Sequence, residues 1–290
     1  MKKILKLQRS ESFYIRDGWI EKVFSAYGDG QKEAFSTKNG TRILGIGSNM
    51  VKSLRYWVEA CQIATFSKNT FVLTNKGGLI YKNDPYMETS FSWCLLHYWL
   101  VTNENLAPVF YTVFNDNSIN TIKRKETAEY LVDLYKQNGF ENANMIPIQK
   151  DLSTLISSYV YDEEDDSRIP EDNISSPLAK LRLMKRVNRD TFEKTPIPIN
   201  LIDYRSLFIC LRSRYPEGFS IDETFVDEKS PVLCLNIERG VFLTLLDEMR
   251  KNGLIDLNRT AGLNMVYINF NKTDDELFDE YMNDKRRLMI

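Results

Sequence analysis

Histidine is almost absent from this chain. One residue in 290, His97, is a histidine, which excludes two-histidine metal sites, zincins and histidine relays. The 4 cysteines, Cys61, Cys94, Cys210 and Cys234, include no C-x-x-C pair. Each lies in an apolar run and reads as a small buried hydrophobe in a reducing compartment. There is no G-x-S-x-G, no Walker A loop and no G-x-G-x-x-G. No stretch of ~18 uncharged apolar residues occurs, and no apolar leader follows Lys2 and Lys3. A cytoplasmic protein without a membrane partner is expected.

Apolar residues make up 43% and aromatics 12%, enough for a packed core in one large or two ordinary domains. The net charge of -2 conceals an uneven distribution. Residues 1–82 hold 14 Lys and Arg against 6 Asp and Glu; the rest hold 24 against 34. A basic front joined to an acidic back points to an anionic partner for the first.

The spacing of Trp19, Ile20, Val23, Phe24 and Tyr27 predicts a helix, with Asp17 placed to cap it. Residues 41–48 read as a short helix closed by a tight turn. Ser48 is then a natural N-cap for a longer helix to Ile63, with Val51, Leu54, Val58 and Cys61 on one stripe. Phe71–Thr74, Asn75-Lys76-Gly77-Gly78 and Leu79–Tyr81 read as a β-hairpin with a glycine turn. That order is a winged helix-turn-helix over residues 1–82. A helical region packed on it is expected over 83–160, with helices at Phe91–Val101, Ala107–Phe114 and Thr121–Asn138. An acidic linker follows over 161–175, carrying Asp162-Glu163-Glu164-Asp165-Asp166. Residues 176–290 read as a second, winged-helix-like domain. Its helices lie at 176–185, 201–214, 238–252 and 274–285, with a helical turn at 220–225 and a hairpin over 254–268. The predicted class is mostly α with small β-hairpins, and the acidic second unit suits a protein contact.

Ser48, Asn49, Lys52, Ser53, Arg55 and Tyr56 are the candidate DNA-binding residues of the longer helix. A helix N-terminus suits a backbone phosphate, and the first turns of a recognition helix meet base edges. Lys68 and Lys76, in or beside the wing, would add phosphate contacts. The same residues also fit a plain turn and a solvated face. Asp84, Glu88 and His97 are candidate catalytic residues, because phosphodiester cleavage needs carboxylates for a divalent metal and sometimes a histidine base. They equally fit a turn, a helix cap and a buried histidine. The aromatics from Trp93 to Phe114 read as core.

Several strings together resemble an uncharacterised bacterial domain family. They are Arg16-Asp17-Gly18-Trp19, Leu44–Val51 with Arg55-Tyr56-Trp57, Asp84-Pro85-Tyr86, Leu95-Leu96-His97, Phe114-Asn115 and Thr260-Ala261-Gly262-Leu263. Members of that SspB-like family sit beside PAPS-reductase-like genes in DNA phosphorothioation clusters. The resemblance implies a DNA-binding component of an anti-phage sulfur-modification system, with nicking to permit sulfur insertion as a candidate activity. It implies that Asn49, Lys52, Arg55 and Tyr56 face DNA, and that a PAPS-reductase-like protein and an ATPase are partners. Mg or Mn would serve a nickase, although no established nuclease motif is visible. The alternative is a non-enzymatic winged-helix transcriptional regulator or assembly adaptor.

Overall fold

The computed structural model describes residues 3–68, 70–161, 176–260 and 263–288. Helix α1 spans Trp19–Gly28, α2 Gly40–Leu44 and α3 Ser48–Ala60. Gly18 caps α1 in the left-handed conformation, while Asp17 pairs with Lys180 instead. Gly45 ends α2 at φ 64, the turn that the glycines of this segment predict. Ser48 is the first helical residue of α3, and Gly47 stands at its N-cap.

The hairpin that follows is not where the glycines suggest. Strands β1, Ala64–Ser67, and β2, Thr70–Leu73, pair antiparallel. Asn75-Lys76-Gly77-Gly78 opens helix α4, Asn75–Asn83, instead of forming a turn. Thr74 caps that helix by accepting from the Gly77 N–H. A Cβ on Gly77 would lie well inside contact with the Ile63 carbonyl. Gly77 therefore serves close approach of a helix to the backbone just before β1, not a reversal of chain direction.

Helices α5, Ser90–Val101, and α6, Pro108–Asn115, form the centre. Every residue of α5 from Phe91 to Val101 is buried, as an all-apolar helix requires. Strand β3, Thr121–Lys123, precedes α7, Arg124–Gln137, and α8 spans Met145–Tyr159. Strand β4, Val160–Tyr161, comes next; residues 162–175 of the expected linker lie outside the described residues. A 3-10 turn over Pro177–Leu181 and strand β5, Met184–Arg186, replace the helix expected at 176–185.

Strand β6 is Thr191–Lys194. The four short strands form one sheet of order β3-β6-β5-β4, with β4 and β5 parallel. Helix α9, Tyr204–Arg214, strand β7, Phe219–Ser220, and helices α10, Pro231–Cys234, and α11, Arg239–Lys251, follow. Strands β8, Ile255–Thr260, and β9, Leu263–Ile268, pair antiparallel in a sheet of order β7-β9-β8. Helix α12, Asp274–Leu288, closes the described chain. The expected turn at 220–225 is a shorter 3-10 turn at Glu223–Phe225. The fold is mostly helical with small sheets, as the sequence predicts.

One continuous apolar cluster runs from Leu5 to Tyr281. Buried polar side chains join its middle to the later part of the chain. His97 Nδ1 meets the Tyr159 hydroxyl at 2.7 Å and Nε2 meets the Cys234 carbonyl at 2.8 Å. Asn115 accepts from the Lys229 N–H at 2.6 Å, and the Tyr98 hydroxyl donates to the Lys229 carbonyl. Among the described residues no helix is long and apolar enough to cross a membrane.

Candidate nucleic-acid interface

Helix α3 buries Val51, Leu54 and Val58, the stripe read from its sequence, together with Trp57. Its opposite face leaves Ser48, Asn49 and Lys52 exposed and Arg55 half-buried. Lys52 Nζ reaches Asn49 Oδ1 at 3.5 Å, so the two act on one surface patch. The Arg55 guanidinium lies 4.3 Å from the centre of the Phe66 ring on β1. That stacking fixes its plane while its edge keeps hydrogen-bond donors available. No side chain caps the helix start, which leaves its first N–H groups for an anion. Lys22 of α1 approaches Gly45, so the turn before the helix is also basic. Lys68 is exposed between β1 and β2, at the tip of the actual hairpin.

Three of the expected contacts are turned elsewhere. Ser53 is fully buried, with its hydroxyl 3.5 Å from the Phe13 carbonyl. Tyr56 is buried on the inner side of α3, and burial pushes its hydroxyl well above the usual range. Their positions between stripe residues Val51, Leu54 and Val58 widen the buried face beyond the apolar residues alone. Lys76 belongs to α4, not to a wing. Its ammonium donates to Gln62 Oε1 at 2.7 Å over the Trp99 ring, and burial lowers its pKa.

The three catalytic candidates do not converge. The Asp84 carboxylate is buried and accepts from the Glu88 and Thr89 N–H groups and from the Thr89 and Ser92 hydroxyls, at 2.6–3.1 Å. It is the keystone of the turn into α5. His97 is fully buried, with both ring nitrogens engaged, and burial pulls its pKa down to about 4. Neither side chain can meet a substrate as placed. Replacing Asp84 by Ala would leave two backbone N–H groups and two hydroxyls without their acceptor. The Asp84→Ala variant is expected to lose about 3–5 kcal/mol of stability in urea unfolding.

Glu88 is exposed and lines a cleft of about 630 Å³ with Asp17, Glu21, Lys180 and Lys285. Asp17 and Gly18 meet Tyr86 and Met87, distant in sequence, at this cleft. Spacing alone could not bring Asp17 and Glu21 to the same cleft as Glu88; the tertiary fold does so. Among the described residues no three His, Cys, Asp or Glu side chains are grouped to hold a metal ion. The carboxylates as placed do not fit a preformed Mg or Mn site.

The family described as a protein of unknown function, DUF4007, matches residues 7–285. The chain belongs to the DUF4007 family. This DUF4007 chain is also similar to two solved structures, a magnesium ion-bound SspB crystal structure and an SspB crystal structure. Their TM-scores are 0.78 and 0.79, each at 21% identity, covering 97% of this chain and 87% of theirs. The likeness shows a shared fold along nearly the whole length. No curated protein matches the chain.

Proposed function

We propose that this protein is a DNA-binding component of a phosphorothioation system and that α3 is its recognition helix. The carrying observation is the exposed face formed by Ser48, Asn49, Lys52 and Arg55, flanked by Lys68 at the hairpin tip. On this reading α1, α2, α3 and the β1–β2 hairpin form a winged helix, with α3 in the major groove and Lys68 on a phosphate. The chain from α9 to β9 has the same plan, three helices and a hairpin with a further strand beside it, and forms a second winged helix. The fold shared with SspB supports the sulfur-modification setting. The partners on this reading are DNA, a PAPS-reductase-like protein and an ATPase.

Duplex binding to the Lys52→Ala variant is expected to weaken several-fold, with the log–log salt slope reduced by about one. Fluorescence anisotropy across a salt series measures both. Unchanged affinity and slope would remove α3 from the interface.

Nicking is the finer part of the proposal, with Glu88, the exposed one of the three catalytic candidates, as the residue to test. One of the SspB structures holds magnesium, so supercoiled plasmid with Mg²⁺ or Mn²⁺ is the appropriate substrate. Conversion to open circle that is lost in Glu88→Ala, with DNA affinity intact, would support it. No conversion with either ion would leave a non-enzymatic adaptor or regulator. The exposed Val226 and Phe270 of the acidic second unit, at 70% and 64% exposure, suit an adaptor's protein contact.

A further inference from the structure

One buried polar atom in the front part of the chain is left without a partner. Among the described residues, Arg16 Nε is the buried side-chain nitrogen or oxygen that no hydrogen bond satisfies. Folded proteins rarely leave such a group unpaired, because burial strips its water without return. The Arg16 guanidinium is held by rings instead. It lies 5.6 Å from the centre of the Phe13 ring, 6.0 Å from that of Tyr14 and 5.9 Å from that of Trp19. Ring faces attract a guanidinium and fix its plane, yet they leave its charge uncompensated. The adjacent carboxylate, Asp17, is taken by Lys180 at 3.2 Å. Arg16 is only half-buried, so part of the residue still meets solvent.

Contacts on either side place Arg16 beside α3. Before it, Arg9 reaches Glu59 at 3.9 Å, and the Phe13 carbonyl accepts from Trp57 Nε1 at 3.0 Å. The Ser53 hydroxyl approaches the same carbonyl at 3.5 Å. From Arg9 to Phe13 the contact moves from Glu59 back to Ser53, so this segment runs antiparallel to α3. After it, the Lys22 ammonium lies 3.9 Å from where a Cβ on Gly45 would stand, in the turn before α3. Arg16 falls between these contacts, and three residues of chain carry it at most about 11 Å from Phe13. Asn49 lies one turn before Ser53 on the same row of the helix and is exposed, as is Lys52. A guanidinium without a counterion therefore flanks the uncapped start of the exposed α3 face.

We propose that Arg16 binds a phosphate of the duplex that α3 reads, next to the start of that helix. The planar fork suits two phosphate oxygens, and the rings hold it in place before DNA arrives, so little side-chain freedom is lost on binding. The contact is to the backbone and carries no base preference; it sets where α3 enters the groove. It rests on α3 being the reader of the duplex.

The test uses the full chain, two fluorescent duplexes of unrelated sequence and a salt series. Arg16→Gln is expected to bind both duplexes ~5–10-fold more weakly, with the log–log salt slope reduced by about one. Arg16→Lys keeps the charge and should keep the wild-type slope while recovering part of the affinity. A second measurement needs no substitution. On the wild-type chain, bound duplex should slow modification of Arg16 by an arginine-specific dicarbonyl, read by mass spectrometry. Wild-type affinity and slope in Arg16→Gln, where Lys52→Ala weakens binding, would overturn the assignment of Arg16 and leave α3 as the reader. A dicarbonyl rate at Arg16 that duplex does not change would do the same. So would a weaker Arg16→Gln with the wild-type slope, the signature of a purely structural residue. A loss confined to one of the two sequences would overturn the phosphate contact in favour of base reading. A wild-type chain that binds no duplex, or wild-type binding by Lys52→Ala, would overturn the reading of α3 and this proposal with it.

Discussion

Gly77→Ala is expected to cost more than about 3 kcal/mol and to abolish a cooperative urea transition if the β1–β2 hairpin cannot shift. A Cβ at that position meets the backbone of Ile63, whose carbonyl already accepts from the Thr74 N–H, so neither side can yield cheaply. The neighbouring Gly78 supplies the control. Nothing lies within 4 Å of a Cβ there, and the residue is inside α4. Gly78→Ala should therefore stabilise by ~0.5–1 kcal/mol through helix propensity alone. A stable Gly77→Ala variant would mean that the α4–β2 corner is looser than described.

The second large effect is a pH dependence carried by two opposed groups. Burial pushes the Asp151 carboxyl up from 3.8 to about 6, against the lowering effect of the Gln8 N–H. Burial pulls His97 down from 6.5 to about 4, against the raising effect of the Cys234 carbonyl. For His97 the unfolded chain binds the extra proton between those values, so stability falls as pH drops from 6.5 toward 4. For Asp151 the folded chain binds it, so stability falls as pH rises from 3.8 through 6. The two contributions nearly cancel, at roughly 2–3 kcal/mol each. Against wild type, Asp151→Asn is expected to gain that amount on going from pH 4 to pH 7, and His97→Gln to gain it in the reverse direction. Urea unfolding at the two pH values measures both differences. Parallel profiles for either variant and wild type would remove that group from the account.

The glycines of this chain show what local pattern conveys and what it does not. The stripe of Val51, Leu54 and Val58 specified α3 because helical period is written along the chain. Gly45 specified its turn because a positive φ is a local demand. Gly77 and Gly78 imitated a hairpin turn, since the demand on Gly77 comes from a backbone more than ten residues away. Ser53 and Tyr56 are polar enough to pass for surface residues, yet both are buried, Ser53 with its hydroxyl toward the Phe13 carbonyl. Strands of two to four residues such as β4 and β3 carry no readable alternation, so the four-stranded sheet was invisible. The Asp17, Glu21 and Glu88 cleft was out of reach for the same reason, because tertiary packing alone assembles it.

The pairing of β3 and β4 with strands from the later part of the chain bears on how the protein is made. A ribosome releases Thr121–Lys123 and Val160–Tyr161 well before their partners at 184–194 exist. Nor can His97 satisfy its second nitrogen until Cys234 has emerged. The emerging front portion must therefore wait with open strand edges and an unfilled central helix until those later segments have emerged.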